Sequence, residues 1–288
     1  MSRNQFNSMV AIIPVAGFGT RMLPASKSIP KEMLTLLDKP LIQYVVEEAY
    51  SAGIRKVVLV THASKSSIEN HFDTNFELEW QLEAKDKNEV LNSVRSVCPN
   101  DLNICAVRQS RGLGLGHAIL CAQDIVGSND FVVLLPDVLI NHYLSNLAEE
   151  NLAAMIKRFE NTSVGQVMVE PVQDDDIEKY GIADLDGKSL LPGNSCVVSS
   201  FLEKPSKEQA PSNYAVVGRY VLPPSIWALL EKTKPGAGGE IQLTDAIDKL
   251  IETEKVEAFH ITGKSHDCGN KTGYVSTFLE FAQLDPRF

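Results

Sequence analysis

The chain has 288 residues, and its content of 44% apolar and 22% charged residues is that of a folded globular protein. A chain of this length buries a sizeable hydrophobic core. The formal net charge of −10 at pH 7 argues against a general affinity for nucleic acid or for an anionic membrane, because both require a basic protein surface.

The first half of the chain alternates strand-like and helix-like segments. Short, almost continuous apolar runs predict strands buried on both faces, and apolar residues at helical spacing predict the helices between them. In chain order these are a strand at 9–15, a helix at 41–52, a strand at 56–61, a long amphipathic helix at 64–84, a strand at 103–107, a helix at 117–123 and a strand at 131–135. Strands separated by helices predict a parallel sheet with helices on both faces.

The second half is less regular, and it contains no repeat, low-complexity tract or linker. Its predicted elements are strands at 164–169, 197–202 and 214–222, a glycine-rich break at 236–239 and a helix at 241–253. A polar excursion at 173–195 contains Asp186-Gly187, a pair that predicts a hairpin turn. We therefore predict one domain over residues 1–288. It is an α/β fold of three layers, with a Rossmann-like, mixed and mainly parallel sheet and a flap on the edge of that sheet.

Five cysteines are scattered along the chain without a CxxC pair: Cys98, Cys105, Cys121, Cys196 and Cys268. Such a set predicts reduced thiols in a cytoplasmic protein rather than a disulfide framework. The N-terminus is polar through Ser8, and the apolar run that follows is short and is broken by Pro14. We therefore expect neither a signal peptide nor a transmembrane span.

A glycine-containing loop, Ala16-Gly17-Phe18-Gly19-Thr20-Arg21-Met22, follows the first predicted strand directly. Glycines let the backbone approach a ligand, and exposed backbone amides can bind phosphate oxygens. A dinucleotide-binding fingerprint requires a third glycine three residues after Gly19, where this chain has Met22, and no GK[ST] of a P-loop is present. Neither an NAD-dependent oxidoreductase nor a P-loop enzyme is therefore indicated.

Three basic residues, Arg21, Lys27 and Lys31, and no acidic residue lie between positions 9 and 31 of this acidic chain. Pro24 and Pro30 stiffen the loop that carries them. A stiff basic loop after a buried strand suits a triphosphate, whose charge needs fixed counter-charges. The alternative is a solvated surface loop in which the basic residues are incidental.

Three further positions combine a predicted strand end with a polar side chain. Asp137 follows a buried strand at the carboxyl edge of the sheet, where ligands bind in open α/β folds, and Mg²⁺ prefers one or two carboxylates together with phosphates and waters. Gln109 precedes a glycine-rich loop, and its amide could pair with a pyrimidine edge. Without a ligand, these features would be a capping aspartate, a glycine-rich turn and, at Glu203-Lys204, an exposed salt bridge.

The loop belongs to a long block, AGFGTRMLPASKSIPKEMLTLLDKPLIQYVVEE. Later blocks include GLGHAILCA, LPDVLI, FLEKP, SNYAVVGRYVL, GAGGEIQLTDAI and KSHDCGNKTGY. These blocks, which run from about residue 10 to 274, resemble the bacterial UTP–glucose-1-phosphate uridylyltransferases of the sugar-nucleotidyltransferase superfamily. The resemblance implies an enzyme that converts UTP and glucose 1-phosphate to UDP-glucose and pyrophosphate, with Mg²⁺ as cofactor. It also implies a homodimer or homotetramer.

The resemblance assigns a nucleotide-binding half to about 9–160 and a sugar-phosphate-binding half to about 161–288. It implies that catalysis involves Arg21, Lys31, Asp137 and Lys204. It implies nucleotide binding by Ala16, Gly17, Gly19, Thr20, Glu32, Gln109, Gly114 and Gly116. Sugar binding is implied for Gly181, Glu203, Val217, Gly218 and Glu240, and metal binding for Asp137 and, as a second ligand or a sugar contact, Asp267.

Two alternatives share this fold. One is a transferase for another nucleotide or sugar, such as a thymidylyl- or adenylyltransferase. The other is a non-catalytic regulatory relative, but such relatives lose the Thr-Arg pair that is present here as Thr20-Arg21. We interpret His117 as a helix-start residue near the nucleotide rather than a catalytic base, because phosphate monoester oxygens need little deprotonation near neutral pH.

Overall fold

The computed structural model describes residues 9–236 and 239–288, so residues 1–8 and part of the predicted glycine-rich break lie outside the described residues. The helices are α1 (Leu41–Ser51), α2 (Ser66–Phe72), α3 (Phe76–Ala84), α4 (Asn88–Arg95), α5 (Leu115–Leu120), α6 (Gln123–Val126), α7 (Leu152–Thr162), α8 (Ile226–Lys232), α9 (Leu243–Ile251) and α10 (Lys271–Leu284). None of these helices is both long and apolar enough to cross a lipid bilayer.

The strands of the described residues are β1 (Val10–Pro14), β2 (Thr35–Leu36), β3 (Lys39–Pro40), β4 (Lys56–Thr61), β5 (Asn103–Arg108), β6 (Phe131–Leu134), β7 (Val138–Ile140), β8 (Gly165–Pro171), β9 (Gly181–Asp184), β10 (Ser195–Val197), β11 (Ser200–Glu203), β12 (Tyr214–Leu222), β13 (Val256–His260) and β14 (Ser265–Asp267). Ten of them form the central sheet, of which eight follow the order β10-β13-β8-β12-β6-β1-β4-β5. Along this path β13–β8, β6–β1, β1–β4 and β4–β5 are parallel, whereas β12 is antiparallel to both neighbours and β10 to β13. The predicted mixed and mainly parallel sheet is confirmed.

Strand β1 shows why helices cover both faces of the sheet. Successive side chains of a strand point to opposite faces, and those of β1 are apolar on both. Ala11 and Ile13 join the hydrophobic core that includes α1 and α7, whereas Val10 and Ile12 join the core that includes α5, α8 and α9. All four residues are almost completely buried. The predicted three-layer arrangement is therefore confirmed.

The long helix predicted at 64–84 is wrong in its extent. The chain forms α2 and α3, with a break between them, and continues into α4, which was not predicted. The Asn75 side chain accepts a hydrogen bond from the Leu78 backbone N–H at 3.1 Å and so caps the start of α3. Asp73 accepts one from the Thr74 N–H at 2.8 Å. Short polar side chains that bond nearby backbone groups in this way end one helix and begin another.

Two other predicted elements are divided. The helix predicted at 117–123 is observed as α5 and α6, and the strand predicted at 197–202 as β10 and β11. β10 pairs with β13, whereas β11 pairs with β9. The predicted strand is therefore wrong, because its two ends pair with different neighbours.

The turn at Asp186-Gly187 is present, but it does not close a hairpin. The Lys188 N–H donates to the Leu185 carbonyl at 3.1 Å. Both central residues have positive φ, 52° and 72°, as two-residue hairpin turns require. The strand before the turn, β9, pairs with β11 and not with the segment that follows the turn.

Candidate active site

The glycine loop lies at the carboxyl end of β1 and folds back on itself. Gly19 adopts φ +65°, and a Cβ there would lie 3.2 Å from the side chain of Lys31. The Gly19 carbonyl accepts a hydrogen bond from the Ser26 hydroxyl at 2.7 Å. Gly17 is exposed and faces open space. Ala16 before it is buried, and Thr20 further along the loop is exposed. The loop therefore presents backbone outward and holds Lys31 beneath it.

A cluster of charged side chains surrounds Asp137, which follows β6. The Lys31 ammonium lies 2.5 Å from Asp137 Oδ2, and the Arg21 guanidinium lies 3.9 Å from the same oxygen. A Cβ on Gly269 would stand 2.9 Å from both Arg21 Nη2 and Asp267 Oδ1, and closer still to Asp137 Oδ2. The structure thus brings together four residues that the sequence placed in one site, around a glycine that sequence reasoning missed.

Two short strands, β7 and β14, bring the two aspartates together. They pair antiparallel with Val138 opposite Asp267, and the Cys268 N–H donates to the Asp137 carbonyl at 2.7 Å. Asp267 is oriented by the Gly269 N–H at 2.8 Å and by the Asn270 amide at 3.0 Å. These two donors fix the positions of both carboxylate oxygens.

The Asp137 carboxyl is almost fully buried, with 8% of the residue exposed. Burial alone would raise its pKa, but the charge and hydrogen bond of Lys31, with the charge of Arg21, outweigh this effect and lower the pKa. The carboxylate is therefore ionised and paired with fixed cations. Such a site places both signs of charge where a polyphosphate and a cation could be held.

The backbone on both sides of Asp137 is held by Arg219, which sequence reasoning missed. Arg219 is completely buried in β12 and donates to both carboxylate oxygens of Glu48 in α1, at 2.9 and 2.7 Å. It also donates to the carbonyls of Leu135 at 3.2 Å and Val138 at 2.7 Å. An ion pair with this many hydrogen bonds can compensate the desolvation of its charges. It ties the turn that carries Asp137 to helix α1.

Gly218, which was predicted to line the sugar site, packs tightly on the same turn. Its φ is +81°, and a Cβ would lie 2.6 Å from the Leu135 side chain. The Leu135 N–H donates to the Gly218 carbonyl at 3.0 Å. The pairing of β12 with β8 is irregular between Val216 and Tyr220, and a glycine within a strand often marks such a bulge. The neighbouring Val217 is 7% exposed.

Gln109, at the end of β5, has its amide nitrogen held by two neighbours. It donates to the Gly114 carbonyl at 3.2 Å and lies 2.9 Å from His117 Nδ1. Gly114 adopts φ +98°, and a Cβ there would lie 2.7 Å from the Ile241 carbonyl. The Gly116 N–H donates to that same carbonyl at 2.8 Å. Both predicted glycines are therefore needed for the close packing of the loop on residues 240–241.

Glu240 was predicted to contact the sugar, and it lies beside Gly114 in the loop that follows Gln109. Its Cβ would stand 2.8 Å from a Cβ built on Gly114. Its carboxylate is exposed and accepts a hydrogen bond from the Gln242 amide at 3.2 Å. The structure therefore places Glu240 next to the residues predicted for the base.

Glu203 and Gly181 face each other across the β9–β11 pair. Glu203 Oε2 accepts a hydrogen bond from the Thr244 hydroxyl at 2.9 Å, a contact that sequence reasoning missed. Lys204 follows with φ +47°, a conformation that is uncommon for a residue with a side chain. Its ammonium lies 3.5 Å from Glu203 Oε1, and its side chain is 57% exposed. The Lys204 side chain is therefore accessible to a ligand.

Tyr180 connects this part of the site with the aspartate cluster. Burial raises the pKa of its hydroxyl, and the negative charge of Asp267 adds to the rise. The Tyr180 carbonyl accepts a hydrogen bond from the Lys204 N–H at 3.0 Å. One residue therefore contacts the backbone of Lys204 and lies within electrostatic reach of Asp267.

Glu32 was predicted to bind the nucleotide, and the structure places its carboxylate inside the protein. The residue is 0% exposed, and both oxygens accept hydrogen bonds from the Lys65 ammonium, at 2.9 and 2.8 Å. Burial raises the pKa of Glu32 and lowers that of Lys65, while their mutual attraction opposes both changes. A nucleotide contact with Glu32 would have to replace part of this buried pair.

The acidic run at 174–176 is compensated locally. Asp176 pairs with Lys179 at 2.5 Å, and Asp174 pairs with Lys207 at 3.0 Å. All four side chains are largely exposed, so these pairs contribute little to stability. They reduce the negative charge that the run would otherwise present near the predicted sugar site.

Fold and site together define a class of protein, an α/β protein with cations and carboxylates gathered at the carboxyl ends of parallel strands, as phosphate chemistry requires. Residues 10–283 match the family model described as nucleotidyl transferase. The chain belongs to the nucleotidyl transferase family.

Similar proteins indicate which group within this family the chain belongs to. A UTP–glucose-1-phosphate uridylyltransferase of Haemophilus influenzae is 59% identical over 273 residues, which cover 95% of this chain and 92% of the relative. The structure of a UTP-bound UDP-glucose pyrophosphorylase of Acinetobacter baumannii is 48% identical, covers 97% of this chain and 95% of that one, and superposes with a TM-score of 0.90. A UDP-glucose pyrophosphorylase in complex with UDP-glucose is 37% identical, covers 96% and 99%, and has a TM-score of 0.84. Within its family, this chain belongs with the UTP–glucose-1-phosphate uridylyltransferases, and the resemblance seen in the sequence is confirmed.

Proposed function

We propose that this chain joins UTP to glucose 1-phosphate and releases pyrophosphate, forming UDP-glucose. The observation that carries the proposal is the convergence of Arg21, Lys31, Asp137 and Asp267 around Gly269. The relatives support the choice of substrates, since the names of those that match along almost the whole chain specify UTP, glucose 1-phosphate or UDP-glucose.

In this reaction an oxygen of the sugar phosphate attacks the α-phosphorus of UTP in line with the departing pyrophosphate. Negative charge builds on the oxygen that leaves as its bond to the α-phosphorus breaks. Lys31 is held in place before the reaction, under Gly19 and against Asp137, and the largely exposed Arg21 guanidinium lies 3.9 Å from the same carboxylate. Fixed cations stabilise such developing charge without a cost of reorganisation. We assign both residues to the phosphates that leave as pyrophosphate.

Mg²⁺ fits the carboxylate pair. It binds hard oxygen ligands and uses one or two carboxylates, with phosphates and waters as the remaining ligands. Asp137 and Asp267 supply carboxylates from adjacent strands, and their oxygens approach the same point at Gly269. We propose that these two residues hold Mg²⁺, which when bound would neutralise charge on the triphosphate.

We assign the uracil and the phosphates to the glycine loop of Ala16, Gly17, Gly19 and Thr20, together with Gln109, Gly114 and Gly116. On the other side of the cluster, Glu203 and the backbone at Gly181, Val217 and Gly218 would receive the sugar. The exposed Lys204 ammonium would meet the sugar phosphate and so reduce the repulsion between two anionic substrates.

Pyrophosphate release from UTP and glucose 1-phosphate, measured with and without Mg²⁺, tests the proposal. We expect release that requires all three components and yields UDP-glucose. Parallel reactions with dTTP, ATP and other hexose 1-phosphates test the alternative transferases, since one of these pairs would then react faster. No release from any pair would indicate the non-catalytic alternative.

Three proposals concern the whole molecule. The five cysteines are unpaired in the structure, which supports a cytoplasmic location. Because β12 pairs with strands from both halves of the chain, we propose a single domain.

Exposed apolar side chains on α10, at Val275, Phe278 and Leu279, support a homodimer or homotetramer. Light scattering of the purified protein would show a monomer if the last proposal fails.

A further inference from the structure

We infer that His117, together with the Gly114 carbonyl, makes the site select uracil over cytosine, because it is the side chain that helps to fix the orientation of the Gln109 amide. The inference rests on the proposed contact between Gln109 and the base. A side-chain amide carries a donor and an acceptor on opposite sides and could serve either base by turning over. Selectivity therefore requires a neighbour that prevents this rotation.

The hydrogen-bond partners show which side of the amide faces inward. The Gly114 carbonyl, 3.2 Å from the Gln109 amide nitrogen, can only accept. The group that faces it must therefore be the NH₂. The opposite orientation of the amide would place two carbonyl oxygens against each other.

The second amide hydrogen points to His117. Its Nδ1 lies 2.9 Å from the amide nitrogen, and since an NH₂ group only donates, Nδ1 must carry the lone pair. The Cys121 thiol, 4.0 Å from the same nitrogen, is also a donor. Nδ1 of His117 is therefore the acceptor, and both amide hydrogens of Gln109 have acceptors.

The remaining atom, Gln109 Oε1, accepts no hydrogen bond from the residues that the structure describes. In the described residues, every fully buried side-chain nitrogen or oxygen has a hydrogen-bond partner. Gln109 Oε1 has none, so this oxygen is not fully buried. The oxygen is therefore accessible to solvent although Gln109 as a whole is only 6% exposed. A free acceptor matches the N3–H of uracil or thymine, whereas cytosine would present its own acceptor at N3.

Four variants test the inference through kcat/KM with UTP, CTP and dTTP. His117→Leu removes the acceptor, so the amide can turn over with the loss of one hydrogen bond instead of two. We expect the UTP/CTP preference to fall about three- to tenfold, with UTP/dTTP unchanged. His117→Asn keeps an acceptor near the position of Nδ1 and should retain most of the preference. Cys121→Ala is the matched control and should leave the ratio unchanged.

The ratio of two substrates is independent of the amount of active enzyme, so partial unfolding of a variant does not affect it. If His117 only supports the fold, His117→Leu will lower UTP and CTP use by the same factor, which would overturn the inference. Equal ratios in His117→Leu and His117→Asn would also overturn it. Gln109→Leu separates the two levels of the argument. If this variant keeps the wild-type ratio, the proposed base contact is wrong, whereas a reduced ratio in Gln109→Leu alone contradicts only the role of His117.

Discussion

The ion pair of Arg219 and Glu48 is buried in the core. Replacing Arg219 with methionine should have two independent effects, a loss of protein stability and a loss of catalytic rate. The Arg219 side chain is 0% exposed and that of Glu48 is 3% exposed. Arg219→Met leaves a carboxylate buried without a partner, which costs about 3–5 kcal/mol of unfolding free energy. Three backbone carbonyls, at Leu135, Gly218 and Val138, each lose the hydrogen bond from Arg219 as well.

Urea unfolding of four proteins measures this effect: the wild type, Arg219→Met, Glu48→Leu and the double variant. Each single variant should be destabilised by about 3–5 kcal/mol, and the double variant by less than the sum of both, because no charge is then left unpaired. Strictly additive changes would refute the pair as the source of the stability.

The kcat of the double variant tests whether Arg219 also positions Asp137. The double variant should be more stable than the sum of the two single effects implies, but it still lacks the donors to the carbonyls on either side of Asp137. Its kcat should therefore remain reduced about tenfold or more, since small displacements of catalytic groups lower rates strongly. A double variant with the kcat of the wild type would show that Arg219 does not position Asp137.

Three further outcomes are expected. Arg21→Ala should lower kcat by about 10²–10³ while changing the KM for glucose 1-phosphate little, because its charge matters most as pyrophosphate departs; an almost normal kcat would remove it from the mechanism. Lys204→Ala should raise the KM for glucose 1-phosphate and leave that for UTP nearly unchanged, and equal damage to both would indicate a structural role. The hydrogen bond from Arg158, opposed by burial, lowers the pKa of Glu257. This pair should therefore contribute its full stabilisation above the pKa of a glutamate in the unfolded chain, about 4.3, and lose it as the pH falls below that value. In Arg158→Gln the acid dependence of the unfolding free energy should be weaker, and an unchanged dependence would contradict the assignment.

The sequence predicts the part of the site that follows from buried parallel strands. The short apolar run at 131–135 predicts a covered strand, which places Asp137 at its carboxyl edge with the loop after β1. This prediction succeeds because every residue of β6 is buried, and the burial of a whole strand leaves a strong and local pattern. Gln109 also follows a predicted strand, but β5 lies at the edge of the sheet and is only partly buried.

The features that the sequence did not predict depend on contacts between distant segments. β7 and β14 have three residues each, too few for a periodic pattern, yet their pairing brings Asp267 to Asp137. Arg219 is a charge in an apolar strand, and only its partner Glu48, 171 positions away, explains its burial. The break before α3 depends on the cap by Asn75, a local signal that competed with the helical pattern and was missed.

We propose that UDP-glucose is formed where Arg21, Asp137 and Asp267 meet around Gly269. The measurement that tests it most directly is the rate of UDP-glucose formation from UTP and glucose 1-phosphate by the wild type, Gly269→Ala and Gly165→Ala. A Cβ at Gly269 would enter the cluster, whereas one at Gly165 would lie 3.6 Å or more from its neighbours. We predict a rate about a hundredfold lower for Gly269→Ala and an unchanged rate for Gly165→Ala. Equal rates for all three proteins, or no UDP-glucose from the wild type, would contradict the account.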